Sequence, residues 1–220
     1  MKISEIFNIK EISHMILAII TLTIVIGYSS ILALNYELMT QALLFAFVII
    51  LVSVYSKKFV AHLFDADVEH KIWKVKRYGL KPHKYFKKGL AAGIILPLIL
   101  AVVTFGAFKF MALLTYETRA LKRRAAKRLG FYSFTEMTEW HNALIGAAGI
   151  LGVLLLSIAA YFLPIAGLEP LARLAAFYAF FNMLPLSKLD GTQIFFGSRI
   201  LYSTLAIITL IFTAYALILI

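Results

Sequence analysis

The chain alternates long apolar runs with short polar clusters. Uncharged runs occupy residues 12 to 36, 38 to 56, 89 to 108, 140 to 168 and 200 to 220. Each is near or above the roughly 20 residues that carry a helix across a ~30 Å hydrocarbon core. A sixth, shorter run covers residues 174 to 187. The two longest polar stretches, about 65 to 88 and 116 to 140, are too small to bury a core of their own. The pattern predicts an all-α integral membrane protein with five to six transmembrane helices and no separate soluble domain.

Composition agrees, since 62% of residues are hydrophobic and only 15% are charged, unlike a soluble domain. The absence of cysteine excludes disulfides and thiolate metal sites, which leaves His, Asp and Glu as the strong ligands available. The first run is long and lacks a convincing small-residue cleavage site, so it reads as a retained anchor rather than a signal peptide.

The net charge of +11 is concentrated. Lys71, Lys74, Lys76, Arg77, Lys81, Lys84, Lys87 and Lys88 form one cluster, and Arg119, Lys122, Arg123, Arg124, Lys127 and Arg128 form another. The positive-inside rule puts both on the cytoplasmic side. They flank the single run 89 to 114, which a plain span would place between opposite faces. A re-entrant hairpin turning near Pro97 and Gly106 removes the conflict, because irregular backbone is tolerated where protein buries it. The alternative is six plain spans. With "NYEL" (35 to 38) and "PIAGLEP" (164 to 170) outside, the amino terminus is cytoplasmic and the carboxyl terminus external. Juxtamembrane Lys and Arg are expected beside membrane lipids, so the basic loops imply no nucleic acid.

"NMLPLSKLDG" holds an ionisable group, Asp190, at the end of an apolar run, where a charge is kept only with a partner. Its spacing, Asn182, Pro185, Leu189, Asp190 and Gly191, resembles the N-x-x-P-x-x-x-L-D-G signature of the site-2 protease family of intramembrane zinc metalloproteases. The resemblance implies that Asp190 stands at the family's third zinc ligand, with Pro185 and Gly191 breaking the helix to turn the carboxylate inward. The physics agrees, since Pro removes a donor and disfavours helix before it. A weaker likeness lies in "AGILGVLLL" (148 to 156), similar to the family's A-G-P-L-x-N-L-L-L, with Ile150 at the Pro and Val153 at the Asn.

The family's H-E-x-x-H helix is absent. Two His one turn apart would share a helix face to bind zinc, and the Glu between them would act as base on the metal-bound water. Aligned by the "KFVA" that follows, Ser53, Val54 and Lys57 stand at those three positions. Lys57 and Asp190 should then point at one shared spot, with the ammonium replacing the metal as the buried positive charge; the alternative is that Lys57 snorkels with Lys58 to the cytoplasmic headgroups and leaves Asp190 to backbone donors or water. A rival register sets "ADVEH" on the motif, with Asp67 at the Glu, His70 at the second His and Ala66 at the first. "EMTEWH" offers a relocated metal site from Glu136, Glu139 and His141. Its simpler reading has acidic residues at a helix start, complementing the dipole, and His141 packed at the interface. His14, His62 and His83 stand apart and read as interfacial.

The implied organisation is an anchoring helix and cytoplasmic tail over residues 1–39, a site-2 protease-like membrane core over 40–205, and the remainder of the last span over 206–220. The core helices are expected at 40 to 64, 142 to 163 and 171 to 186. Because fold carries no chemistry without its site, the leading reading is a non-catalytic pseudoprotease. It would bind or regulate a client protein through its transmembrane helix, with no cofactor and with Asp190, Lys57 and Ser53 as a vestigial metal site. The alternative is an active intramembrane zinc metalloendopeptidase with ligands drawn from Asp190, His70, Glu136, Glu139 and His141. Whether the chain is an enzyme stays open at this point. A small transporter is the third class, disfavoured by the lack of an inverted repeat.

Overall fold

The computed structural model describes residues 8–77, 85–121, 137–163 and 167–218. Among the described residues eight helices run in chain order: α1 (Ile9–Ile26), α2 (Tyr28–Leu32), α3 (Tyr36–Leu63), α4 (Ala92–Val103), α5 (Glu139–Phe162), α6 (Glu169–Met183), α7 (Asp190–Gly197) and α8 (Arg199–Ile218). The same residues include four strands: β1 (Ala66–Ile72), β2 (Val75–Arg77), β3 (Tyr85–Leu90) and β4 (Leu114–Ala120). The fold is mostly helical, and α1, α3, α5 and α8 are long and apolar enough to cross a membrane. Four such helices point to a membrane protein. The helices expected at 40 to 64, 142 to 163 and 171 to 186 appear as α3, α5 and α6, within a few residues of those bounds.

Two features differ from an all-α chain of five to six spans. The stretch after α3 forms strands, because "ADVEHKI" buries alternate residues, Ala66, Val68, His70 and Ile72, with the period of two that a strand requires. Its charges made it read as a loop. Second, α4 and α6 have only 12 and 15 residues. At 1.5 Å per residue, α4 reaches about 18 Å, well short of the hydrocarbon core. Helix α4 continues through Pro97 and ends at Val103, where Phe105 and Gly106 adopt left-handed backbone (φ 52° and 81°). The predicted turn is therefore at Gly106 and not at the proline.

The chain divides into two compact units. The first comprises Met1–Phe47 and Lys71–Thr115. Here Asn8 caps α1, which buries Met15, Ala18, Leu22 and Val25. Strand β2 pairs antiparallel with β3, Val75 opposite Leu90. The Trp73 N–H donates to the Leu113 carbonyl at 2.9 Å and the Gly93 N–H donates to the Trp73 carbonyl at 3.0 Å.

The second unit comprises Val48–His70 and Tyr116–Ile220, and it contains the candidate site. Lipid tails are as apolar as leucine, so helices in a membrane associate through close packing, and small residues permit it. Helix α5 supplies Gly146, Gly149 and Gly152 at every third position. A Cβ at Gly152 would collide with Ser56 of α3, so the glycines set how near α3 approaches. On its far half, Ser157 Oγ of α5 donates to the Ala172 carbonyl of α6 at 2.7 Å. Helices α5 and α8 run side by side in the same direction. Gly197, just before α8, lies against Ala143 and the Glu139 carbonyl, and Tyr215 near its end donates to Tyr161 of α5 at 2.7 Å. Strands β1 and β4 pair, and Val68 and Tyr116 bury a small cluster with Ala61 and Ile145.

Candidate functional site

Helix α6 ends where the motif says it should. Asn182, in its last turn, is buried and donates from Nδ2 to the Tyr178 carbonyl at 2.8 Å. Leu184, the residue before Pro185, is extended (φ −61°, ψ 132°), as the proline ring demands of its predecessor. The chain then turns through Ser187, left-handed at φ 53°, and restarts as α7 at Asp190. Gly191 is obligatory: a Cβ there would lie 2.0 Å from the Met183 carbonyl oxygen, so the chain folds back onto the end of α6 only with glycine. Proline ends one helix, and glycine lets the next begin in contact with it. Asp190 thus occupies the first position of a helix, where the dipole favours a negative charge.

Asp190 meets Lys57. The Lys57 Nζ lies 2.5 Å from Asp190 Oδ2, and both side chains are 2% exposed. The pairing anticipated from the motif positions is present. The lysine reaches it because its stem lies across Gly149, where a Cβ would stand 2.2 Å from Lys57 Cε. Tyr116 of β4 covers the ammonium, its ring centroid 5.0 Å away, a cation–π contact in a desolvated setting. The Tyr116 hydroxyl donates to the Asn142 carbonyl at 2.6 Å and presses on Gly146. Ser53, one turn before Lys57, is buried and hydrogen-bonds the Tyr178 hydroxyl.

Asp190 and Tyr116 lie outside the four spanning helices, and both are electrostatically strained. Burial pushes the Asp190 carboxyl above its usual range, and the Lys57 ammonium opposes that rise. Burial, with the Asp190 charge second, holds the Tyr116 phenol well above its ordinary value, so it stays neutral. Among the described residues, Asp190 Oδ1 has no hydrogen-bond donor.

The donor set does not fit zinc. No imidazole stands beside Asp190 in the motif positions, and the group that does is an ammonium, which has no lone pair to give. Among the described residues, no three His, Asp or Glu side chains gather in a way that could hold a metal ion. The rival register fails on geometry. His70 lies in a strand, where a residue four positions away is about 13 Å distant, too far to share an ion. Glu139 and His141 sit in the first turn of α5, with Thr138 as the cap that accepts from the His141 N–H at 3.4 Å. His141 packs edge-on against Phe64, with ring centroids 5.0 Å apart. Glu136 and His83 lie outside the described residues. Glu139 therefore stands at a helix start and His141 is packed on an aromatic ring.

Motif spacing found Asn182, Pro185, Leu189, Asp190, Gly191 and Lys57. It missed Tyr116, for which the sequence carries no signal, and the purpose of Gly149, for which the glycine spacing was one. No family model, no curated protein and no solved structure matches the chain. The likeness to site-2 proteases therefore rests on the sequence motif alone.

Proposed function

We propose that the chain is a site-2 protease-like membrane protein that has exchanged peptidase chemistry for a structural ion pair, and that it holds another membrane protein without cutting it. One observation carries this reading: Lys57 Nζ stands 2.5 Å from the motif aspartate, at the position of the second zinc-binding histidine. A cation fixed there repels a metal ion as well as lacking the lone pair to bind one. The base is gone too, since Val54 stands at the motif glutamate. The partner inferred is a transmembrane segment contacting the region 171 to 190.

The same reading places the amino terminus in the cytoplasm and treats 89 to 114 as re-entrant. Support comes from the shortness of α4 and from the charge clusters on either side of it.

The test is zinc content together with cleavage. Full-length protein purified without chelator should carry less than a tenth of an equivalent of zinc and leave a transmembrane reporter intact in proteoliposomes. Stoichiometric zinc, with cleavage abolished by chelator and by Asp190→Asn, overturns the reading. Photo-crosslinkers placed between residues 171 and 190 should capture a membrane protein.

A further inference from the structure

An open groove of about 360 Å³ runs between α5 and α8 over their last two turns. Ser157 and Ala216, small and buried, form its floor, and Ile158, Phe162, Ile211 and Phe212 form its sides. The two helices run in the same direction, and both are long and apolar enough to cross a membrane. The groove therefore opens toward lipid.

Its electrostatics narrow what it takes. Among the described residues, no Asp, Glu, Lys, Arg or His lines it, so nothing there balances a charged group. Ser157 Oγ already donates to the Ala172 carbonyl. The remaining polar feature is a pair of hydroxyls, Tyr215 donating to Tyr161 at 2.7 Å, with the two rings edge to face and their centroids 5.5 Å apart. Two hydroxyls carry two protons, and the bond between them uses one. The Tyr161 proton is left over, and among the described residues no protein group accepts it. The two tyrosines are 42% and 40% exposed, so this donor is open to a ligand.

The level of the pair is also informative. Tyr161 is the penultimate residue of α5, and Tyr215 lies in the last turn of α8. Tyrosines at the ends of spanning helices mark the boundary between hydrocarbon and water.

We propose that the groove holds one acyl chain of a membrane glycerolipid, whose ester carbonyl accepts the Tyr161 proton. A methylene fills about the volume of a water, ~30 Å³, so roughly a dozen chain carbons occupy the groove. A helix about 10 Å across fills roughly 420 Å³ in a single turn and is too thick for it. The ester carbonyl is neutral and needs no countercharge, whereas a phosphate or a fatty acid carboxylate would find none here. In a glycerolipid that carbonyl stands between tail and headgroup, at the boundary where the tyrosines lie. The headgroup extends past the helix ends, so the groove reads the ester linkage and not the headgroup. The inference is independent of the pseudoprotease reading, because it uses neither Lys57 nor Asp190.

Full-length protein in detergent is offered equal amounts of a diester phosphatidylcholine and the diether phosphatidylcholine of the same chain length, which lacks the carbonyls, and is read by native mass spectrometry. One lipid per chain should stay bound, with the diester favoured about fivefold, the ~1 kcal/mol of one neutral hydrogen bond. Diester phosphatidylglycerol should compete equally with diester phosphatidylcholine. Tyr161→Phe/Tyr215→Phe should still retain a lipid, which shows that it is folded, and should hold diester and diether alike. Ala216→Leu, which raises the floor, should retain neither. Equal retention of diester and diether by the parent protein, an ester preference that survives in the phenylalanine pair, or a tenfold preference for one headgroup overturns the proposal. So does a parent protein that retains no lipid, or an Ala216→Leu protein that retains as much as the parent.

Discussion

Replacing Lys57 by Met keeps the aliphatic stem that lies across Gly149 and deletes only the charge. At 2.5 Å, the Lys57–Asp190 attraction is roughly 7 kcal/mol for an effective dielectric near 20. Desolvation of two buried ions, at several kcal/mol each, offsets most of it, so the intact pair contributes little net stability. The single variants are a different matter. Lys57→Met strands a carboxylate and Asp190→Leu strands an ammonium, and each should cost ~3 to 5 kcal/mol because an uncompensated charge remains buried. For a chain of this size that corresponds to a fall of about 6 to 20 °C in melting temperature. The double variant Lys57→Met/Asp190→Leu leaves no buried charge and should recover most of the loss. Thermal unfolding in detergent, followed by tryptophan fluorescence, measures all four proteins. The interaction term of the cycle should reach at least ~2 kcal/mol, near the top of the range seen for contacting residues. Additive losses, or a Lys57→Met protein as stable as the parent, would refute the reasoning and place the lysine head in water.

Reinstating the motif as Ser53→His, Val54→Glu and Lys57→His should give about one zinc per chain by mass spectrometry of metals, and adding Asp190→Asn should weaken that binding by roughly tenfold or more, the range that altered zinc surroundings produce. Gly149→Ala should cost ~1 to 3 kcal/mol, as overpacking does, since the new methyl falls 2.2 Å from Lys57 Cε; calorimetry checks it, and an unchanged midpoint would mean that the stem lies elsewhere. Tyr116→Phe removes the donor to the Asn142 carbonyl and should cost ~1 to 3 kcal/mol if that carbonyl stays unpaired, measured by the same unfolding assay. Single cysteines at positions 76 and 123, in this cysteine-free chain, should both label from the cytoplasmic face in intact cells; labelling from opposite faces would refute the re-entrant placement of 89 to 114.

What the sequence made legible follows its strongest periodic and steric signals. The apolar runs located α3, α5 and α8 because length against bilayer thickness is a coarse and robust test. The run at 12 to 36 is broken instead, since α1 ends at Gly27, whose added Cβ would sit 3.0 Å from the Thr23 carbonyl oxygen. The Pro185–Gly191 spacing placed the end of α6 and the start of α7 because each residue has a backbone requirement readable one position at a time. Strand β1 was not legible, since its alternation is carried by Ala66, Val68, His70 and Ile72 against charged neighbours, and charge density outweighed it. Tyr116 could not have been found either. It lies 74 positions before Asp190 in the chain, and only the β4 backbone, held by Gln193 Nε2 donating to the Tyr116 carbonyl at 3.0 Å, brings it over the pair.

Two adjacent lysines, Lys57 and Lys58, take different paths. A lysine near the end of a spanning helix usually stretches its head to the interface, and Lys58 leaves the helix bundle in that sense, donating to the Val68 carbonyl of β1 at 2.8 Å. Lys57 differs by one position, which on a helix is a rotation of about 100°. That rotation turns it onto α5, where a Cβ at position 149 would close the path its stem takes. The burial of Lys57 is therefore decided by a glycine on another helix and by the carboxylate at the end of that path. Neither residue alone would keep the charge inside: the glycine without Asp190 opens a channel to nowhere, and Asp190 without the glycine has no lysine within reach. The three residues make one device.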